Sequence, residues 1–275
     1  MPGICTRRNF TRRNFLKSAC GLAAGGSILL AERLTRAATA GWLDRRRYGP
    51  FEIAAAFPLA DYDQTFANLG HLEFELQRTL GVPPAETPVE VYLFSDKNSH
   101  RQYLKQAFPR VPYRRALYVQ RGTAASVYAY HHEELGVDLR HECTHALLHS
   151  NLAMVPLWLD EGLAEYFEVP AEGRAFGNPH LARLRWDLRL GRLQKIEALE
   201  QARDLRDMGA SEYRFAWAWT HFLLHGPREG HRVLVNFLAD IRRGNPPGRL
   251  SERLRAELPR LDTQMVQHFK HWRRG

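Results

Sequence analysis

The stretch HECTHALLH, at residues 141–149, constrains the fold more than any other part of the 275-residue chain. It sets His141, His145 and His149 four residues apart, with Glu142 directly after the first histidine. A helix advances about 100° per residue, so His141 and His145 point within about 40° of each other, one turn apart. Both imidazoles can therefore reach one metal ion at about 2.0–2.1 Å, with Glu142 beside them to hold a water molecule.

The third histidine of this stretch does not complete the site. His149 leans toward the same side of the helix, but it lies a rise of about 12 Å beyond His141. No imidazole spans that distance to close a tetrahedral site with His141, so His149 is predicted to be a helix-flank or core histidine. Cys143 points away from the histidine face and is interpreted as a buried apolar residue. Because H-E-x-x-H also arises by chance in helices, the rest of the site has to be sought downstream.

The string VPLWLDEGLAEYFE, at residues 155–168, supplies carboxylates in the right order after the histidines. We expect one amphipathic helix here, reached after a turn at residues 151–156. Glu161 and Glu165 are four residues apart and share a helix face, which suits a metal ligand and a supporting carboxylate behind it. The alternative is that these acidic residues form the solvated face of an ordinary helix.

HECTH followed by WLDEGLAEYFE resembles the gluzincin metallopeptidases, in which two zinc histidines lie on one helix and a glutamate on the next. The segments VEVYLFS, SVYAYHHEELGVDLRHECTHALLH and YRFAWAWTHFLL are similar to the bacterial peptidase-MA-like group in particular. This resemblance implies one zinc ion per chain, held by His141, His145 and Glu161, with Glu142 as the base.

The resemblance also implies a reaction, the hydrolysis of peptide bonds in a peptide or protein substrate. A zinc-bound water would lose its proton to Glu142 and attack the carbonyl, with Tyr213 as the expected donor to the oxyanion. Arg140 departs from the uncharged residue usual before the first histidine, and it should face away from the metal. We expect the strand ASVYAY to align the substrate by backbone pairing. His221 and His225, on an apolar helix, are expected to be packed or capping residues.

Hydrophobic periodicity predicts a mixed α/β half to about residue 150, followed by a helical half. Strands are expected at 51–59 and 89–95, and 115–120 and 125–132 should form a hairpin or lie beside 89–95. Helices are expected at 62–81, after a capping Asp96, and at 211–226, 231–244 and 261–274. These elements indicate an α+β fold with a small mixed sheet, and the resemblance to the gluzincins implies that the domain is zincin-like. We expect one catalytic domain at 41–275, with an α/β part (41–150) and a helical part (151–275).

The first 40 residues have the composition of an export signal. They carry a basic stretch, an apolar run from about residue 18 to 31 and an A-x-A site at 38–40. The segment TRRNFLK, with Arg12 and Arg13, is similar to the twin-arginine consensus. The apolar run is shorter than the ~20 residues of a spanning helix, so no stable membrane span is expected after cleavage. We expect a periplasmic or secreted protein; an uncleaved anchor is the alternative.

The formal charge of +9 resides mostly in this leader, which holds seven basic side chains and one acidic. The near-neutral remainder argues against nucleic acid as a partner. Cleavage would leave Cys143 as the last cysteine, so no intramolecular disulfide is expected. Two alternatives to an enzyme stay open: a non-catalytic binding or envelope-assembly protein with this fold, and a helical scaffold with chance histidines. Glu142 favours the enzyme, since a binding protein needs no base.

Overall fold

A computed structural model describes residues 41–273, so the predicted export signal lies outside the described residues. Five strands form one mixed sheet, in the order β1-β2-β3-β5-β4. The strands β2, β3 and β5 run parallel, whereas β1 and β4 pair antiparallel with β2 and β5 at the two edges. The strands are β1 (Asp44–Tyr48), β2 (Phe51–Ala55), β3 (Val89–Phe94), β4 (Ala116–Arg121) and β5 (Ala124–Tyr130).

Helices precede and follow the sheet strands and then make up the C-terminal half, as predicted. Short 3-10 helices lie at Ala60–Tyr62 and Leu205–Asp207. The α-helices are α1 (Asp63–Gly70), α2 (Leu72–Leu80), α3 (Lys97–Ala107), α4 (Leu135–Asn151), α5 (Leu157–Phe167), α6 (Ala171–Arg174), α7 (His180–Arg189), α8 (Ile196–Leu199), α9 (Ala210–His225), α10 (Arg228–Arg242), α11 (Leu250–Glu257) and α12 (Leu261–His271). No helix within residues 41–273 is both long and apolar enough to cross a membrane.

Side-chain alternation along the strands gives the sheet two different faces. Val91 and Leu93 of β3 point into the main core, which also contains Leu139 of α4 and continues to Phe269 of α12. Phe94 points to the other face, into a smaller aromatic cluster that α3 covers. The helix that carries the histidines therefore packs against one face of the sheet and belongs to a core shared by both halves of the chain.

Several predicted elements are confirmed. The Asp96 carboxylate caps α3 by accepting hydrogen bonds from the backbone N–H of Asn98 at 2.7 Å and of Ser99 at 3.0 Å. The two alternatives for the last strands both hold, because β4 and β5 form a hairpin and β5 also pairs with β3. The strand β1, with the sequence DRRRY, was not predicted, since it lacks alternating apolar residues.

Two predictions about these elements are wrong. The helix expected at 62–81 is divided into α1 and α2, which are separated at His71. Gly70, at the end of α1, packs against the turn at Gly49, where a Cβ added to Gly49 would lie 2.6 Å from the Gly70 oxygen. The strand ASVYAY, expected to pair with a substrate, is β5, whose backbone already pairs with β3 and β4. The free edge on this side of the sheet belongs to β4.

Candidate metal centre

The helix α4 carries the H-E-x-x-H motif through the interior of the protein. Its side chains from Asp138 to Leu148 are all buried, including Cys143 as predicted. Arg140 lies on the side away from the motif, where it donates hydrogen bonds to the carbonyl oxygens of Phe167 and Asn68, both at 2.9 Å, and pairs with Glu75. These contacts place Arg140 as expected and tie α4 to the end of α5.

The three predicted ligands, His141, His145 and Glu161, converge on one point between α4 and α5. The Nε2 atoms of His141 and His145 lie 3.3 Å apart. Each of them lies close to the carboxylate of Glu161, at 3.8 Å for His141 and 3.9 Å for His145. All three side chains are buried, and these residues form a group whose ligand atoms can hold one metal ion.

The outer ring nitrogens of both histidines face carboxylates. Nδ1 of His141 is 2.9 Å from Glu168 Oε2, and Nδ1 of His145 is 3.2 Å from Asp160 Oδ1, at an angle poorer than that of an ideal hydrogen bond. An ionised carboxylate only accepts hydrogen bonds, so the contact with Glu168 favours a proton on Nδ1 of His141. Both rings turn Nε2 toward each other and toward Glu161, and with their protons on Nδ1 they present the Nε2 lone pairs there.

This arrangement of donors fits a cation. Two lone pairs and a carboxylate that face one another repel unless a positive charge lies between them, and neither Glu161 oxygen has a hydrogen-bond partner among the described residues. Nitrogen ligands of a tetrahedral zinc at about 2.0–2.1 Å lie about 3.3 Å apart, which agrees with the separation of the two Nε2 atoms. The buried His and Glu side chains can therefore hold a metal ion.

Two further groups of metal-binding residue types share these histidines. One consists of His145, His149 and Asp160, and the other of His141, Glu165 and Glu168. Glu165 was predicted to support the ligands; it lies in the second group, and its carboxylate is 3.2 Å from Nε2 of His180. Asp160 and Glu168 also contact the candidate ligand histidines, through the outer ring nitrogens.

The helix α5 is buried on every side, so the prediction of an amphipathic helix is wrong. Its side chains from Trp158 to Phe167 are buried, and Glu161 is fully so. The cause is close packing against α9 at Gly162, where an added Cβ would lie only 2.5 Å from the carbonyl oxygen of Ala216. The acidic residues of this helix thus face the protein interior and the histidines.

Glu142, the predicted base, is held by the edge of the sheet. Its Oε2 accepts a hydrogen bond of 2.9 Å from the backbone N–H of Tyr118 in β4. Burial raises the pKa of Glu142, while the charge of Arg114 and the Tyr118 N–H oppose that rise. The carboxylate therefore has a fixed orientation next to the two ligand histidines.

Tyr213 and Arg114 lie near the same group of carboxylates. The Tyr213 hydroxyl is buried without a hydrogen-bond partner in the described part of the chain. Burial raises its pKa, as do the nearby charges of Glu161 and Glu165. Burial lowers the pKa of Arg114, and the charges of Glu142 and Glu161 oppose this. Sequence analysis did not single out Arg114, because it sits in a loop before β4 and belongs to no motif.

The other histidines named from the sequence make two kinds of contact, one with a carboxylate and one with neighbouring rings. His149, predicted to be a flank or core residue, is partly buried and contacts Asp160 through Nε2 at 3.0 and 3.1 Å. His221 packs between α9 and α12, with Nδ1 at 3.1 Å from His268 Nε2, and His225 contacts the Tyr166 hydroxyl at 2.6 Å. The packed role expected for His221 and His225 agrees with these contacts.

Residues 137–246 match a protein family of unknown function, DUF1570. The matched segment begins within α4 and ends just after α10, so it contains the candidate ligands and Tyr213 but none of the strands. No curated protein matches the chain.

Proposed function

We propose that this chain is a zinc-dependent peptidase with a zincin-like fold. The observation that supports this most strongly is the convergence of the Nε2 atoms of His141 and His145 on the buried carboxylate of Glu161, whose oxygens have no hydrogen-bond partner among the described residues. Glu142, which a purely structural metal site would not need, lies on the same turn of α4. The resemblance of HECTH and WLDEGLAEYFE to the gluzincin metallopeptidases supports the same proposal.

In this proposal His141, His145 and Glu161 hold one zinc ion. A bound zinc ion supplies the Lewis acidity that makes hydrolysis possible near neutral pH. Three protein ligands of this kind are typical of catalytic zinc sites, which keep one position open, whereas structural sites have four. Asp160 and Glu168 orient the two imidazoles and keep their protons on Nδ1.

Glu142 is the residue that moves the proton. The Tyr118 N–H fixes Oε2 of Glu142, so that Oε1 accepts a proton from the attacking water and returns it to the leaving amine. The Tyr213 hydroxyl donates a hydrogen bond to the oxyanion that develops on the substrate carbonyl, a role open to a buried hydroxyl that has no hydrogen-bond partner among the described residues. The free edge of β4, one strand further out than expected, is the edge available for pairing with an extended peptide.

The test compares metal content and hydrolysis in the full-length protein and a Glu142→Gln variant. We expect about one zinc per chain in both proteins, and chelator-sensitive hydrolysis of a peptide library in the wild type alone. Glu161→Ala should lose the metal, whereas Glu165→Ala should only weaken its binding. Zinc in the wild type without any turnover would favour the non-catalytic binding protein, and absence of metal in the wild type would exclude the site.

We also propose that the protein is exported. This proposal rests on the motif TRRNFLK and on the A-x-A site at residues 38–40. Expression with Arg12→Lys and Arg13→Lys should retain the unprocessed chain inside the cell, while the wild type is found outside the inner membrane. Equal export of both would exclude the twin-arginine route.

A further inference from the structure

The third histidine of HECTHALLH has a partner that connects it to the metal centre. We propose that His149 positions the ligand His145 through the carboxylate of Asp160, and so sets the affinity and geometry of the metal site without contacting the ion. This inference rests on the proposed metal site, but it does not depend on peptide hydrolysis.

The contacts form a continuous path from the exterior to the ligand. Nε2 of His149 lies 3.0 Å from Asp160 Oδ1 and 3.1 Å from Oδ2. The same Oδ1 lies 3.2 Å from Nδ1 of His145, whose Nε2 faces the metal position. The Asp160 side chain is fully buried, whereas the His149 side chain is 11% exposed.

The register of the two helices explains why a third histidine at this spacing is useful. The two helices run in opposite directions along this contact. His141, near the start of the row on α4, contacts Glu168 at the end of α5, whereas His149 contacts Asp160 near the start of α5. Glu161 lies between these two contacts and beside His141. Neighbouring histidines thus share a carboxylate: His141 and His145 lie beside Glu161, and His145 and His149 beside Asp160. A residue four positions after the second ligand is therefore placed to hold the carboxylate that orients this ligand.

Removal of His149 would leave the buried Asp160 carboxylate with fewer donors. A buried charged group that loses a hydrogen bond is destabilised, so the Asp160 side chain would rotate toward another donor. Because His145 depends on Asp160 for the orientation of its ring, the lone pair of Nε2 would no longer be held toward the metal. Loss of a group that supports a metal ligand typically costs about 10–100-fold in affinity.

The residues His145, His149 and Asp160 can also be interpreted as a metal site of their own. In that arrangement the Asp160 carboxylate would be a ligand together with the two rings. A carboxylate can instead accept hydrogen bonds from imidazole N–H groups with no ion between them, so the contacts of Asp160 need no second ion. The number of ions bound per chain distinguishes the two.

The experiment uses full-length protein with His149→Phe, which keeps the volume but removes the donor, and His149→Gln, which keeps an N–H donor. The control is His231→Phe, since His231 is a partly buried histidine whose ring contacts the Thr79 carbonyl at 2.7 Å, between α10 and α2. Zinc dissociation constants are measured by competition with a chromophoric chelator. The visible spectrum of the cobalt-substituted proteins reports the ligand geometry, and melting of the metal-free proteins reports folding.

We expect His149→Phe to weaken zinc binding by about 10–100-fold and to change the cobalt spectrum. His149→Gln should recover part of both, and His231→Phe should match the wild type. A dissociation constant for His149→Phe within twofold of the wild type would overturn the inference, and so would two zinc ions per wild-type chain. Tight zinc binding without hydrolysis would remove the proposed peptidase but leave the role of His149 supported, whereas a wild type that binds no zinc would remove both.

Discussion

At the scale of the single residue, Tyr213 allows the sharpest test of the proposed reaction. Its hydroxyl is buried with no hydrogen-bond partner in the described structure. Burial and the nearby charges of Glu161 and Glu142 raise its pKa. If this hydroxyl stabilises the oxyanion, Tyr213→Phe should lower kcat by about 10²–10³-fold, the usual effect of removing one such donor. Steady-state kinetics on a cleaved peptide, together with zinc content, measure the effect.

The matched control for this prediction is Tyr166→Phe. Tyr166 is also a buried tyrosine, but its hydroxyl contacts His225, away from the metal position. We expect Tyr166→Phe to keep kcat near the wild-type value, and Tyr213→Phe to keep the full zinc content. Equal kcat values for Tyr213→Phe and the wild type would assign this tyrosine to the core alone.

The individual site residues differ in how far the sequence could predict them. His141, Glu142 and His145 follow from local helix geometry, because their spacing alone brings them to one side of α4. Asp160 and Glu168 do not follow in this way, since their contacts depend on how α5 packs along α4. Helical spacing predicted only Glu165 as a supporting carboxylate, and the structure adds Asp160 and Glu168 beside the outer nitrogens of the two histidines.

At the scale of the secondary-structure element, the contact between α5 and α9 positions Glu161, the proposed glutamate ligand. Gly162 directly follows Glu161, and a Cβ at this position would lie 2.5 Å from the Ala216 oxygen and 2.5 Å from the Thr220 hydroxyl. A backbone oxygen cannot move aside alone, so Gly162→Ala would push the two helices apart. Overpacking of this kind costs about 1–3 kcal/mol, and it should also shift Glu161 from the histidines.

We therefore expect Gly162→Ala to lower the midpoint of thermal unfolding by several degrees, at roughly 2–4 °C per kcal/mol for a domain of this size. Zinc affinity should fall as well. Gly230→Ala is the control, because Gly230 is also a buried helical glycine but its nearest neighbour to a new Cβ is a flexible leucine methyl at 3.4 Å. Calorimetry and chelator competition measure both effects; a Gly162→Ala protein as stable as Gly230→Ala would contradict the packing argument.

The elements themselves were easier to predict than their arrangement. Strong periodicity and capping residues identified β3, α3 and the C-terminal helices. The edge position of β4 was not predicted, because the choice of which hairpin strand pairs with β3 depends on long-range contacts. For the same reason the acidic helix was expected to be amphipathic, since its sequence does not reveal that α9 covers its remaining side.

At the scale of the whole molecule, a histidine cluster between α9 and α12, with His221 buried and His225 and His268 partly buried, is expected to make stability depend on pH. Burial lowers the pKa of His221 to about 3 and that of His268 to about 4, and it also lowers the pKa of His225. The rings of His221 and His268 are therefore neutral in the folded protein near pH 7, and His221 Nε2 donates to the Ala175 carbonyl. In the unfolded chain the same groups titrate at about 6.5.

Between about pH 4 and pH 6.5 the unfolded chain therefore binds more protons than the folded protein, and the free energy of unfolding increases with pH. The contribution of the cluster is fully present above the unfolded pKa and is lost as the pH falls toward the folded values.

We expect the urea midpoint of the chelator-treated protein to fall between pH 7 and pH 5. The fall should be smaller in a His268→Gln variant, which has one titrating group fewer in the cluster. His71→Gln, at an exposed histidine, should behave as the wild type does. An unchanged pH dependence in His268→Gln would place the acid sensitivity elsewhere, with the histidines of the metal centre as the next candidates.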